Sequence, residues 1–153
     1  MIALGMIVGA ALWGNVADQL SRRGVDMVKV LLAGTGAYLV ILALLALGVK
    51  TMTMPLLFGL TLFGQVLPLI YAMVSQEFPL ELSGRVTSTL NFLVFFSAFA
   101  VQWGTGLIIN LWPVLAGRYA VAGYATAFGA CLLLVLAPYL LLLLSRRAAR
   151  SAV

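Results

Sequence analysis

Residues 121–144 read VAGYATAFGACLLLVLAPYLLLLL and contain no charged side chain. A helix needs roughly 20 consecutive apolar residues to cross the hydrocarbon core of a bilayer, so this stretch is long enough to span a membrane. Similar apolar runs occupy residues 27–48, 54–74 and 89–112, and a shorter run occupies residues 1–16. The sequence therefore predicts an all-α membrane protein of about five spans, which form a single transmembrane helical domain over the whole chain.

The overall composition excludes an ordinary soluble domain. Hydrophobic residues make up 64% of the 153 residues, with only 9 Lys or Arg and 4 Asp or Glu, and the mean hydropathy is +1.16. About a quarter of the residues of a soluble domain are charged, so this chain cannot cover a water-exposed surface with polar groups. The formal net charge is +5, but the basic residues form no stripe with interleaved aromatics. We therefore expect the lipid bilayer, and not nucleic acid, as a partner.

The residue types that usually perform catalysis or hold metals are scarce. The chain has no histidine, its four acids are dispersed, and its one cysteine, Cys131, lies within an apolar run. Zinc and haem sites commonly use histidine or several cysteines. We therefore expect no enzyme activity, no metal site and no cofactor, and we interpret Cys131 as a small apolar residue.

The basic residues predict the orientation, because short loops rich in Lys and Arg remain in the cytoplasm. Two of them, Lys50 and Arg118, lie in connections on one side of the predicted bundle. Seven lie on the other side, namely Arg22, Arg23, Lys29, Arg85, Arg146, Arg147 and Arg150. We predict a multi-pass protein of the cytoplasmic or inner membrane, with its C-terminus in the cytoplasm and its N-terminus outside.

The first apolar run is shorter than a full crossing and begins at full hydrophobicity. A signal peptide would carry a basic segment before its apolar stretch, whereas no charge precedes Asp18. These features favour a fragment of a larger membrane protein whose N-terminal part is missing. A fortuitous start codon would produce the same pattern.

The first basic loop places an acid and two arginines after a glycine, in the order Gly14, Asp18, Arg22 and Arg23. This order is consistent with a solvated basic turn. It is also consistent with a functional loop, in which Asp18 lies against the start of a neighbouring helix, where the dipole favours a negative charge. The arginines would then bind phosphates or pair with the acid.

The second basic loop, residues 76–88, reads QEFPLELSGRVTS. Pro79 is expected to end the preceding helix, and the residues from Gly84 to Ser88 are typical of the start of the next one. The stretch is therefore either a capped amphipathic connector or a second functional loop.

Together, the two loops resemble those of the major facilitator superfamily. The spacing of Gly14, Asp18, Arg22 and Arg23 is similar to the family's signature loop between the eighth and ninth helices. Residues 78–85, followed by Asn91, are similar to the connection between the tenth and eleventh helices. The resemblance covers nearly the whole chain and implies that the five runs correspond to helices eight to twelve. Gln19 and Ser21 depart from the family loop, which usually has a basic residue and a glycine at these positions.

The resemblance implies transmembrane transport of a small solute by a secondary transporter, of which this chain is a partial C-terminal half. In such transporters the pathway runs between two halves, so the implied partner is the missing N-terminal half or another copy. The implied gating-loop residues are Gly14, Asp18, Arg22, Arg23, Gly84 and Arg85. The alternative is a small non-transporting membrane protein that acts as a scaffold or accessory subunit and binds helices through glycine-rich faces.

Polar residues within the predicted spans are candidates for a substrate pathway, namely Gln65, Tyr71, Gln102 and Thr105. Asn91 and Gln102 share a helical face with Thr105, because 11 residues make about three turns. This face either lines a cavity or forms hydrogen bonds to neighbouring helices, and we interpret Asn91 as a cap or packing residue. Pro68 should kink the third span and free a carbonyl.

Glycines predict where helices approach each other closely. Gly5 and Gly9 have the GxxxG spacing, and further small positions are Gly34, Gly36, Gly59, Gly64, Gly104 and Gly106. Aromatic residues near the outer boundary, Trp112, Tyr119 and Tyr124, are typical of interfacial anchors.

Overall fold

The fold was analysed in a computed structural model that describes residues 2–49, 52–115 and 117–151. These residues are nearly all helical, which confirms the all-α prediction. The helices are α1 (Ile2–Arg22), α2 (Met27–Ala46), α3 (Thr53–Gly64), α4 (Leu69–Gln76), a 3₁₀ helix (Leu80–Leu82), α5 (Ser83–Asn110) and α6 (Val121–Ser151). Two short strands, β1 (Val114–Leu115) and β2 (Arg118–Tyr119), pair antiparallel between α5 and α6.

Four segments of the described chain are long and apolar enough to cross a membrane. They are Met27–Ala46, Thr53–Gln76, Leu80–Asn110 and Val121–Ala148, which supports a multi-pass membrane bundle. Helix α1 is not one of the four, so a fifth span remains a prediction. It nevertheless continues well beyond the predicted run of residues 1–16, because the polar residues up to Arg22 contain no helix breaker.

The third span is broken into two helices by a turn over residues 65–68. Pro68 has no N–H group, and the preceding N–H groups shift to acceptors three residues back. Val66 donates to the Phe63 carbonyl at 3.1 Å, and Leu67 donates to the Gly64 carbonyl at 3.2 Å. The predicted kink at Pro68 is therefore confirmed.

The break leaves one carbonyl free for another helix. In a regular α-helix the N–H of Val66 would bond to the carbonyl of Leu62, but it bonds to Phe63 instead. The indole Nε1 of Trp13, on α1, donates to the Leu62 carbonyl at 2.9 Å. The Leu62 carbonyl is thus satisfied from α1, whereas the Gly64 carbonyl, which the missing N–H of Pro68 deprives of its regular donor, accepts from the Leu67 N–H.

Glycines allow α1 and α2 to approach the broken helix closely. A Cβ on Gly9 would lie 2.6 Å from the Leu62 carbonyl oxygen, and one on Gly34 would lie 2.7 Å from Cγ2 of Val66. Close approach is also found at Gly5, which faces Thr61. The packing prediction is confirmed at these three glycines.

The packing prediction is wrong for two glycines of α5. Gly104 and Gly106 have no atom within 4 Å of a Cβ position, because α5 packs on few neighbours. It lies mainly against α6 and, near its start, against α4.

The buried core lies where α1, α2 and the broken third span meet. One cluster of buried residues there consists of Trp13, Val30, Leu31 and Val66, of which Val66 is fully buried. On α2, Leu42 is also almost completely buried. The ring of Trp13 meets the ring of Phe63 edge to face, with centroids 5.9 Å apart. Helix α2 is central, because it packs against both α3 and α6.

The two classes of glycine should respond differently to a large side chain. We expect Gly9→Leu to lower the free energy of unfolding by about 1–3 kcal/mol, the usual range for overpacking. Gly104→Leu is the matched control and should leave stability equal or higher, because leucine is the better helix former. Unfolding by SDS titration in mixed micelles, followed by circular dichroism, measures both. Equal stability of the two variants would contradict the α1–α3 packing.

Candidate functional site

The first candidate loop is part of helix α1. Because the helix continues to Arg22, Asp18 and Arg22 lie one turn apart, and their side chains form an ion pair at 3.0 Å. Both side chains are exposed, at 63% and 78%. Gly14 and Arg23 are also exposed. The sequence left several interpretations of this loop open, and the structure shows the one in which Asp18 pairs with an arginine of its own loop, Arg22.

The second candidate loop joins α4 to α5. Helix α4 ends at Gln76, before Pro79, and α5 begins at Ser83, so Gly84 and Arg85 lie in its first turn. Arg85 borders a cavity of about 320 Å³ between the end of α4 and the start of α5, together with Phe78. No hydrogen bond or ion pair joins this loop to the first one within the described residues.

A second ion pair lies at the same end of the bundle. Asp26 caps α2 by accepting a hydrogen bond from the Val28 N–H at 2.9 Å, and it accepts a second one from Arg146 Nη1 at 2.7 Å. The Arg146 guanidinium, followed by the Val28 N–H, holds the pKa of the Asp26 carboxyl below its usual value. The contact ties the α1–α2 loop to α6.

This ion pair is only half predictable from the sequence. An aspartate directly before an apolar run is a typical N-cap, so the sequence indicates that Asp26 caps α2. Nothing in the sequence indicates its pairing with Arg146, because the two residues are 120 positions apart.

The four candidate pathway residues lie in two separate places. At the break, Gln65 faces α1, since a Cβ on Gly9 would lie 2.9 Å from its Cγ. Beyond the break, the Tyr71 hydroxyl donates to Asn91 Oδ1 at 2.9 Å and links α4 to α5. Asn91 thus forms an interhelical hydrogen bond, one of the two alternatives that the sequence left open for this face.

The other two candidates lie on the C-terminal half of α5. Gln102 is exposed, and its backbone carbonyl accepts a hydrogen bond from the Thr105 hydroxyl at 2.9 Å. No hydrogen bond joins these residues to Gln65 or Tyr71 in the part of the chain that the structure describes.

A groove of about 310 Å³ separates α5 from α6. Small residues of α5, among them Ser97, Ala100 and Gly104, line one wall, and Cys131 lies on the other. Thr105 borders this groove, but Gln102 does not. Of the three residues on the predicted face, only Thr105 therefore lines the groove, and Asn91 and Gln102 do not.

The remaining surface of α5 is aromatic and exposed. Phe92, Phe95, Phe99 and Trp103 are each more than 60% exposed. Among the described residues, no group of three or more His, Cys, Asp or Glu side chains is placed to hold a metal ion.

No family model, curated protein or solved structure matches this chain.

The ion pair of Asp26 should make stability depend on pH. Its folded-state pKa lies below the ordinary value of 3.8, so the pair stabilises the fold above that pH and loses its effect as the pH falls through the folded pKa. Asp26→Asn keeps a capping side chain but removes the charge. We expect it to cost about 1 kcal/mol at pH 6, the size of a partly exposed pair, and to cost less near pH 3.

Thermal unfolding in detergent at the two pH values measures this difference. Asp18→Asn is the matched control, because Asp18 pairs only within α1 and is more exposed. If Asp18→Asn lowers stability as much as Asp26→Asn does, the Asp26–Arg146 pair between α2 and α6 contributes no more to stability than the exposed pair within α1.

Proposed function

We propose that this protein is part of a secondary transporter of the major facilitator type, corresponding to much of its C-terminal half, which moves a small solute by alternating access. The observation that carries the proposal is the broken third span, α3 and α4, with its turn at residues 65–68. In secondary transporters, substrate sites near the midplane are typically formed by discontinuous helices. The two loops at Asp18 and Arg85 would act as the gates that the family resemblance implies.

The surroundings of the break support a pathway. Irregular backbone at membrane depth is tolerated where it is buried in protein or lines a water-filled cavity. On the α1 side, the Leu62 carbonyl is bonded to Trp13. Next to it, the Tyr71–Asn91 hydrogen bond is exposed at the surface of α4 and α5. Polar groups are costly against lipid, so this surface fits better against other helices or an aqueous path.

The partner in this proposal is the other half of the transporter or a second copy of the chain. Helix α5 exposes both Asn91 and Gln102, two amides that a lipid environment would not favour. Helices supplied by the partner would cover them and form the opposite wall of the pathway. The solute would then bind between the two halves.

Cysteine accessibility tests whether Gln102 faces water. Because Cys131 is the only cysteine, Cys131→Ala provides a thiol-free background for Gln102→Cys. Trp103→Cys is a control at the same depth on the aromatic surface. A membrane-impermeant methanethiosulfonate should modify Gln102→Cys at least about ten-fold faster than Trp103→Cys. The reason is that the reacting species is the thiolate, which forms in water.

Measurements in inside-out and right-side-out vesicles complete this test. Alternating access requires modification from both sides of the membrane. Equal, slow modification of Gln102→Cys and Trp103→Cys would contradict a pathway at this face and leave the helix-binding scaffold as the function.

A scaffold or accessory subunit is the second candidate function. The open groove at Gly104 favours it, because small residues without neighbours are typical helix-binding positions.

Charge reversal at Arg85 separates the transporter from the scaffold. In a transporter, Arg85→Glu should shift the modification rate of Gln102→Cys between the two sides, because the gate changes the balance of conformations. In a scaffold, the rates should stay unchanged.

A further inference from the structure

A basic cavity lies between the start of α2 and the end of α6. Its volume is about 380 Å³, and its lining consists of Lys29, Leu32, Leu143, Arg146 and Arg147. Neither the proposed pathway nor the two loops use it.

The charge of this cavity is positive and incompletely neutralised. Arg146 is paired with Asp26 at 2.7 Å. Lys29 and Arg147 are exposed, and neither forms an ion pair with another residue in the described ranges. Three cations around one cavity repel each other, and an anion bound among them would relieve this repulsion.

The polarity of the cavity changes along the membrane normal. Helices α2 and α6 run antiparallel, since Asp26 meets Arg146 at one end and Gly36 meets Tyr139 further along. On α2, Leu32 lies about one turn deeper than Lys29, and on α6, Leu143 lies about one turn deeper than Arg147. Both walls therefore pass from cationic at the helix ends to apolar towards the middle of the bundle.

We propose that this cavity binds an anionic phospholipid. Its headgroup phosphate accepts hydrogen bonds from Lys29 and Arg147, and its acyl chain lies along Leu32 and Leu143. Basic pockets between transmembrane helices are suited to anionic headgroups, and the leucine walls distinguish a lipid from a free phosphate ion. The Asp26–Arg146 pair joins the two helices beside this cavity.

Lipid titration of the purified full chain in dodecyl maltoside tests the site. Phosphatidylglycerol should raise the Tm in a concentration-dependent way, because a ligand of the folded state stabilises it. Phosphatidylcholine and inorganic phosphate should not. Lys29→Gln/Arg147→Gln should weaken the apparent affinity for phosphatidylglycerol about 30-fold, the equivalent of about 1 kcal/mol for each basic side chain.

The matched control is Arg22→Gln/Arg23→Gln, which removes the same charge at the same end of the bundle and should retain wild-type affinity. Equal weakening in both double variants would overturn the site in favour of general surface charge. Unchanged affinity in Lys29→Gln/Arg147→Gln would overturn it outright. Stabilisation by inorganic phosphate at the same concentrations would show an ion site and not a lipid site.

Lys29→Gln/Arg147→Gln leaves the Asp26–Arg146 pair, the Asp18–Arg22 pair and the buried core intact, so its lipid-free Tm should match that of the wild type. If the double variant does not fold, Lys29→Gln alone should weaken binding about five-fold, and the charge-preserving Lys29→Arg should retain it. Loss of binding in Lys29→Arg equal to that in Lys29→Gln would contradict an electrostatic headgroup site.

Discussion

The hydrogen bond from Trp13 Nε1 to the Leu62 carbonyl, at 2.9 Å, is the contact on which the arrangement of the bundle depends. It exists because the turn before Pro68 moves the Val66 N–H to a different acceptor. An unpaired carbonyl in a membrane interior is costly, so the donor that α1 supplies stabilises the break. The glycines of α1 permit the close approach that brings the indole into reach.

This constraint divides the bundle into a tightly packed part and an open part. Helices α1, α2 and the broken span enclose the core around Val66, and α6 packs along the other side of α2. Helix α5 remains largely uncovered and carries exposed amides next to exposed aromatics. A surface of that mixed character is the reason for proposing partner helices there, whereas the basic cavity at the α2–α6 end has the graded polarity of a lipid site.

The candidate site was predictable where the signal was local. Pro68 indicated the break, because the missing N–H acts within one turn, and Pro79 indicated the end of α4 for a similar reason. The roles of the polar residues were not predictable to the same degree. Gln65 and Gln102 look alike in sequence, yet one lies against Gly9 and the other is exposed, because neighbours from other helices decide what each amide meets.

By itself, the sequence determined the membrane class and the helical composition, because hydrophobicity over about 20 residues and the helix breakers between such runs are local properties. Only the tertiary structure decided which glycines are covered, which carbonyl Trp13 satisfies and which arginine Asp26 binds. Each of these depends on atoms that are distant along the chain. Gly9 and Gly104 are both small positions in apolar helices, and only the presence of α3 beside α1 makes one of them indispensable to packing.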